Sequence, residues 1–285
     1  MTVCLKTLTL IVATVLVGTL GTIAYDRLHQ HPRFPYMGGP LSDPDFSAMA
    51  AKPGWRGLHL RVADGVELRG LLREPATPAG PWILFFNGDS ANTLRIGQRL
   101  LDALCTERGW GGVVWTYRGF DSSGGTPNPA ALEADAIKVY SDLLIEQKIQ
   151  PNQVHLVGFS LGTSIAAAVA AQAHQMPPAT LTLLAPMTVV YLGERTQVRL
   201  HRYETLKWLD GIASPTLVVH GTSDTTLKVE YGRAVAKSLG SRATLLEMPG
   251  LGHEELLVSP VVQAAIRAFI ANHPAGSAQA AAPPL

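Results

Sequence analysis

The chain has 285 residues, 47% of them hydrophobic, and carries 23 Lys and Arg against 22 Asp and Glu, a net charge of +1. That length supports one sizeable domain and excludes two large ones, and the scattered charge excludes a basic nucleic-acid-binding stripe. Two cysteines as distant as Cys4 and Cys105 do not make a disulfide framework.

Thr7 to Ala24 carries no charge and is rich in Leu, Val, Ile, Ala and Thr, with Lys6 before it. Its length is at the short end of what spans a bilayer, and exceeds a usual signal-peptide core. Residues 1–25 are therefore expected to be a single-pass membrane anchor. The competing expectation is a signal cleaved after Ala24, which would leave a secreted or periplasmic enzyme. Residues 26–56 are rich in Pro, Gly, His and Asp and read as a linker. His29 and His31 lie there without further ligands, so no metal is expected.

The folded domain is expected over residues 57–272. Leu58–Val62 and Val66–Leu72 flank Ala63-Asp64-Gly65 as a hairpin. Apolar strand runs follow at Trp82–Phe86, Gly112–Thr116, Val154–Phe159, Leu181–Leu184, Pro215–His220 and Ala243–Met248. Helical segments alternate with them at Thr93–Glu107, Pro129–Lys148, Leu161–His174, Val229–Leu239 and Pro260–Asn272, and Asn128-Pro129 is a helix-start signal. Strands apolar throughout and separated by helices predict an α/β fold, a mostly parallel sheet covered on both faces. Residues 273–285, mostly Ala, Pro and Gln, read as a disordered tail.

Gly158-Phe159-Ser160-Leu161-Gly162 joins a strand run to an alanine-rich helix. A serine at that joint is lifted above the sheet by a sharp turn, and glycines two before and two after it remove colliding side chains. The Leu161 amide then sits at the positive end of the helix, facing a developing oxyanion. A serine nucleophile needs a base, and the base needs an orienting acid. In such a sheet these groups gather at the carboxyl ends of strands. Gly221-Thr222-Ser223-Asp224 follows one strand and Pro249-Gly250-Leu251-Gly252-His253 follows the next. Ser160, Asp224 and His253 thus fall at successive suitable places, in the chain order expected of this scaffold. His155 reads as a core histidine, and His220 as a residue that packs or bonds to the loop carrying Asp224. The second oxyanion amide is expected from Asn87-Gly88-Asp89-Ser90, at Asp89 with Ser90 as fallback. Ser90 is rejected as a nucleophile because the Gly-Asp-Ser esterase pattern needs a carboxyl-terminal Asp-x-x-His, and Asp26–His29 is the sole such spacing.

With the elbow, Val219-His220-Gly221-Thr222-Ser223-Asp224, Gly252-His253 and Tyr117-Arg118-Gly119-Phe120-Asp121-Ser122-Ser123-Gly124-Gly125, the chain resembles the serine-hydrolase side of the α/β-hydrolase superfamily. Within it, the chain resembles the small membrane-tethered α/β-hydrolase-domain proteins, related to serine aminopeptidase and monoacylglycerol lipase-like enzymes. The resemblance implies a Ser-His-Asp site but no particular substrate. Two departures stand out. Relatives carry His-Gly-Asn where this chain has Asn87-Gly88-Asp89, and a carboxylate there opposes the charge of acyl transfer. Asp89 is expected to turn away, toward Arg118. Asp121 replaces a glycine and is expected to change only the turn.

The thirty or so residues between Leu184 and Pro215 have room for one or two short helices but no large cap, so a small or absent lid is expected, with Met187, Val189, Val190, Tyr191 and Leu192 as candidates to line an acyl pocket. The function expected is cleavage of acyl esters, thioesters or amides through an acyl-enzyme, with no cofactor. Small acyl molecules, lipids among them, are the expected substrates, and the membrane is a partner through the amino-terminal segment. The same residues would serve an acyltransferase, and a non-catalytic binding protein on the same fold is the alternative of a different class.

Overall fold

The computed structural model describes residues 33–173, 175–193 and 200–274. In chain order the strands and helices are β1 (Arg33–Pro35), α1 (Asp43–Ala50), β2 (Arg56–Arg61), β3 (Glu67–Arg73), β4 (Trp82–Phe86), α2 (Thr93–Cys105), β5 (Gly111–Trp115) and α3 (Pro129–Gln147). Then come β6 (Val154–Phe159), α4 (Leu161–Gln172), β7 (Thr180–Leu184), β8 (Val189–Gly193), β9 (Leu200–Glu204), β10 (Thr216–Gly221), α5 (Val229–Leu239), β11 (Ala243–Met248), α6 (Glu255–Val258) and α7 (Pro260–Ala271). Eight strands make one sheet in the order β11-β10-β7-β6-β4-β5-β3-β2. Pairing from β5 through β11 is parallel, and β2 and β3 add an antiparallel edge.

The expected alternation therefore produces the expected sheet. Within β4 the side chains alternate: Ile83 and Phe85 enter one core with α1, α2 and α7, and Leu84 and Phe86 the other with α3, α4 and α5. Both faces are buried, which is why these strands are apolar at nearly every position, His155 of β6 being the exception. Each fully buried Leu or Phe contributes about 1.5–3 kcal/mol to this packing.

One expectation changes. Residues 33–56, expected as a linker, carry β1 and α1, and Phe46, Met49 and Trp55 join the core. Ser42 caps α1 by accepting from the Asp45 amide, and a proline in its first turn and two acidic residues favour its start. Trp55 Nε1 donates to Asp102 on α2 at 2.9 Å, which fixes the segment to the domain.

The lid region holds no α-helix among its described residues. β8 and β9 form an antiparallel hairpin, and β1 pairs with β8 in a second, three-stranded sheet. The β-branched and aromatic residues of Val189-Val190-Tyr191 suit strand over helix. A 3₁₀ turn at Leu206–Gly211 completes the region. The anchor or signal segment (residues 1–25), the His29 and His31 pair, Cys4, His174 and residues 275–285 of the tail lie outside the described residues. Among the described residues no helix is long and apolar enough to cross a membrane.

Candidate active site

Ser160 stands between β6 and α4 with φ 52° and ψ −117°, a left-handed backbone that side chains other than glycine rarely adopt. The surrounding structure holds it there. The Ser160 amide donates to Leu184 O at 3.0 Å, and its carbonyl accepts from the Thr163 amide at 3.0 Å and the Thr163 hydroxyl at 2.6 Å. The flanking glycines are required by contact: a methyl on Gly158 would meet Gly162 O at 2.4 Å, and one on Gly162 would meet Phe86 O at 2.0 Å. Leu161 is buried at the first turn of α4, where backbone amides lack intrahelical acceptors.

Asp224 follows β10 and is buried, and His253 follows β11. His253 Nδ1 lies 2.6 Å from Asp224 Oδ2, the same oxygen that is 3.4 Å from His220 Nε2. Asp224 Oδ1 accepts from the Thr226 and Leu227 amides, each at 2.8 Å. Burial alone would raise this carboxyl, but hydrogen bonds from His220, His253 and the Leu227 amide hold it below the usual carboxylate range. The two loops are knitted together as well. Ser223 N donates to Leu251 O at 3.0 Å and Gly250 N to Thr222 Oγ1 at 2.9 Å. Gly221 permits the crossing, since a methyl there would meet Leu251 O at 2.2 Å.

The imidazole of His253 packs on Phe159, with ring centroids 4.8 Å apart, next in sequence to Ser160. Ser160, Leu161, His253, Gly88 and Asp89 all line one cavity of about 600 Å³. Its remaining wall is largely apolar, with Ile96, Leu100, Met187, Val190, Leu192 and Leu257. Of the pocket candidates read from the sequence, Met187, Val190 and Leu192 are there, while Val189 is buried and is not part of the lining. The Tyr191 side chain lies outside those described.

The loop after β4 closes on the serine. A methyl on Gly88 would sit 3.1 Å from Ser160 Cβ, so the backbone at 88–89 runs against the elbow. Asn87, fully buried, shapes this loop. Its Oδ1 accepts from the Gly88 amide at 2.8 Å, its Nδ2 donates to Thr93 O, and its carbonyl accepts from the Tyr117 hydroxyl at 2.6 Å.

The Asp89 side chain does not reach Arg118, contrary to expectation. Arg118 is committed to a buried, two-bond pair with Asp135, both bonds 2.7 Å long. Asp89 Oδ1 instead accepts from the Met37 amide at 2.7 Å. Asp121 does more than alter a turn. At φ 45° it is buried, and its Oδ2 accepts from the Leu94 amide at 2.8 Å in the first turn of α2. It therefore clamps the far end of the 87–92 loop. Burial pushes its carboxyl up to about 6, while the Leu94 amide pulls the other way.

Ser90 also lines the cavity, but its hydroxyl accepts from Asn92 N at 3.2 Å within its own loop. His155 is buried against the Thr180 hydroxyl at 2.8 Å, and burial lowers it to about 3. His220, besides facing Asp224, bonds Leu227 O at 2.8 Å. Sequence reasoning missed Met37, Glu254, Glu255 and Val258 at the cavity wall. The helix-start pattern Ser42-Asp43-Pro44 was the available signal that the chain before residue 57 is part of the fold.

Comparison with known proteins agrees with this architecture. A family model described as TAP-like protein matches residues 196–278, a stretch that includes Asp224 and His253. Over 243 residues the chain is 27% identical to an uncharacterised protein of Mycobacterium tuberculosis, covering 81% of this chain and 84% of that one. It is 24% identical over 234 residues to the lysophosphatidylserine lipase ABHD12 of Danio rerio, covering 69% of this chain and 60% of the lipase. Among solved structures, the Pyrococcus furiosus esterase Pf2001 superposes with a TM-score of 0.63 at 14% identity, covering 86% of this chain and 97% of the esterase. The chain has the α/β-hydrolase fold and resembles proteins of that superfamily. These likenesses support a hydrolase and, more generally, ester hydrolysis.

Proposed function

We propose that the protein is a serine hydrolase that cleaves acyl esters through a covalent acyl-enzyme. Ser160 Oγ attacks the acyl carbonyl while His253 takes its proton, and Asp224 orients His253 and stabilises the imidazolium that forms. The Leu161 and Asp89 amides receive the oxyanion. His253 then protonates the leaving alcohol, and water, activated by the same imidazole, releases the acid. The observation that carries this reading is the 2.6 Å contact of His253 Nδ1 with a buried, low-pKa Asp224, on a cavity whose wall also includes a strained Ser160. An apolar cavity of about 600 Å³ is of the size that takes a small organic acyl group, lipids included. The uncharged Thr7–Ala24 stretch is read as a membrane anchor that would hold this site near such substrates.

Labelling with an active-site-directed fluorophosphonate, beside hydrolysis of p-nitrophenyl esters of graded chain length, tests the proposal. Wild type is expected to label and hydrolyse, and Ser160→Ala to do neither. A Ser160→Ala protein that retains either property overturns the assignment. Amino-terminal sequencing of the membrane-bound protein separates an anchor, with Met1 or Thr2 first, from a cleaved signal, with Tyr25 first.

A further inference from the structure

Asp89 is out of keeping with the site around it. It lines the cavity beside Ser160 on the loop whose backbone touches the elbow. One oxygen accepts from the Met37 amide, and the other, Oδ2, is buried with no hydrogen-bond partner. An ionised carboxylate in that position has a single donor and a bare, desolvated oxygen, an arrangement that strongly favours the neutral acid.

None of the groups around it offsets a negative charge. The Tyr117 hydroxyl donates to Asn87 O. Tyr36 and Tyr203 bond each other at 2.7 Å, and Tyr36 also meets His201 Nδ1. Burial pushes the Tyr36 hydroxyl up to about 12, so it stays neutral at physiological pH. His253, which faces Asp224, and the acidic Glu254 and Glu255 also line the cavity. Arg99 is an exposed residue of the rim, and Arg118 is held by Asp135.

We propose that Asp89 serves acyl transfer as the neutral carboxylic acid, and that its ionisation shuts the reaction down by placing a negative charge beside the forming oxyanion. The proposal rests on the hydrolase reading above. The loop amide that receives the oxyanion belongs to the same residue, so the carboxyl cannot be far from the developing charge. In a cavity with a largely apolar wall, two like charges held by the same short loop oppose each other strongly. Burial pushes the Asp89 carboxyl up to about 7, against the downward pull of the Met37 amide. The ionisation thus falls where a modest change of pH switches the site, and an apolar setting that keeps a carboxylic acid neutral is an established way to use one near an oxyanion.

The test is the pH profile of kcat/KM for a water-soluble ester, measured between pH 5 and pH 9 for wild type, Asp89→Asn and Asp89→Ser. Wild type is expected to lose about tenfold or more on the alkaline side of pH 7. Each neutral variant is expected to lack that alkaline loss, whatever its absolute rate. An alkaline limb shared by wild type and both variants overturns the proposal, and so does a wild-type profile flat from pH 6 to pH 9. Thermal unfolding supplies a readout that needs no activity. A carboxyl raised in the folded state gives stability that is full below its unfolded value and is lost as pH rises through about 7. The midpoint of Asp89→Asn should therefore gain on wild type by roughly 5 °C or more between pH 4 and pH 8. An unchanging gap overturns the neutral acid. Retained activity in Ser160→Ala sinks the hydrolase reading instead and leaves this titration readable.

Discussion

Replacing Gly162 with alanine tests the physical logic of the elbow at one atom. The added methyl would lie 2.0 Å from Phe86 O, 2.5 Å from Phe86 C and 2.6 Å from Asn87 O, all backbone atoms. Real methyl carbons essentially never come within 3.0 Å of such atoms, so α4 and the end of β4 must separate by at least about 1 Å. That displacement passes directly into the 87–89 loop, which carries one of the two proposed oxyanion amides. Overpacking of this kind costs about 1–3 kcal/mol, and more where only backbone can yield. A 1 Å misplacement of catalytic groups costs roughly 100-fold in rate. Gly162→Ala is therefore expected to unfold at lower urea concentration and to react with a fluorophosphonate about 100-fold more slowly. Gly124→Ala is the control, because its methyl would meet nothing closer than 3.8 Å. A Gly162→Ala protein with wild-type stability and labelling rate would refute the reasoning, since the elbow would then not depend on close backbone approach.

Asp224→Asn should reduce turnover by about 10³–10⁴-fold, because the amide favours the wrong histidine tautomer. Its effect on acid stability has a definite sign. A carboxyl held low in the folded state contributes stability that is present above the unfolded value near pH 4 and is lost as pH falls further. Denaturant titrations at pH 7 and pH 3 should thus show a smaller loss of stability for Asp224→Asn than for wild type, and equal losses would contradict the bonding described. Asp135→Ala should cost about 3–5 kcal/mol in urea unfolding, because it strands the buried Arg118 guanidinium. A cost under 1 kcal/mol would mean that water or Asp64, 4.0 Å from Arg118, takes over the charge.

The legible parts of this protein were those governed by neighbours in sequence. A strand, a tight turn and a helix leave a local pattern of apolar runs and glycines, so Ser160 and its flanking glycines stood out before any contact was known. Asp224 and His253 were readable because a parallel sheet places every strand-end loop on the same rim. The composition of residues 33–56 misled because Pro and Gly density does not report burial. Ser42 could cap a helix there only because Phe46, Met49 and Trp55 had a core to enter.

By itself, then, the amino-acid order determined the alternation of strands and helices, the elbow, and the chain order of hydroxyl, carboxylate and imidazole. Tertiary structure alone decided what each charged group faces. Met37 meets Asp89 across 52 residues of sequence, and Arg118 chose Asp135 rather than Asp89. Such choices turn on which desolvated partner lies within hydrogen-bond reach, and that distance exists only after the chain has packed.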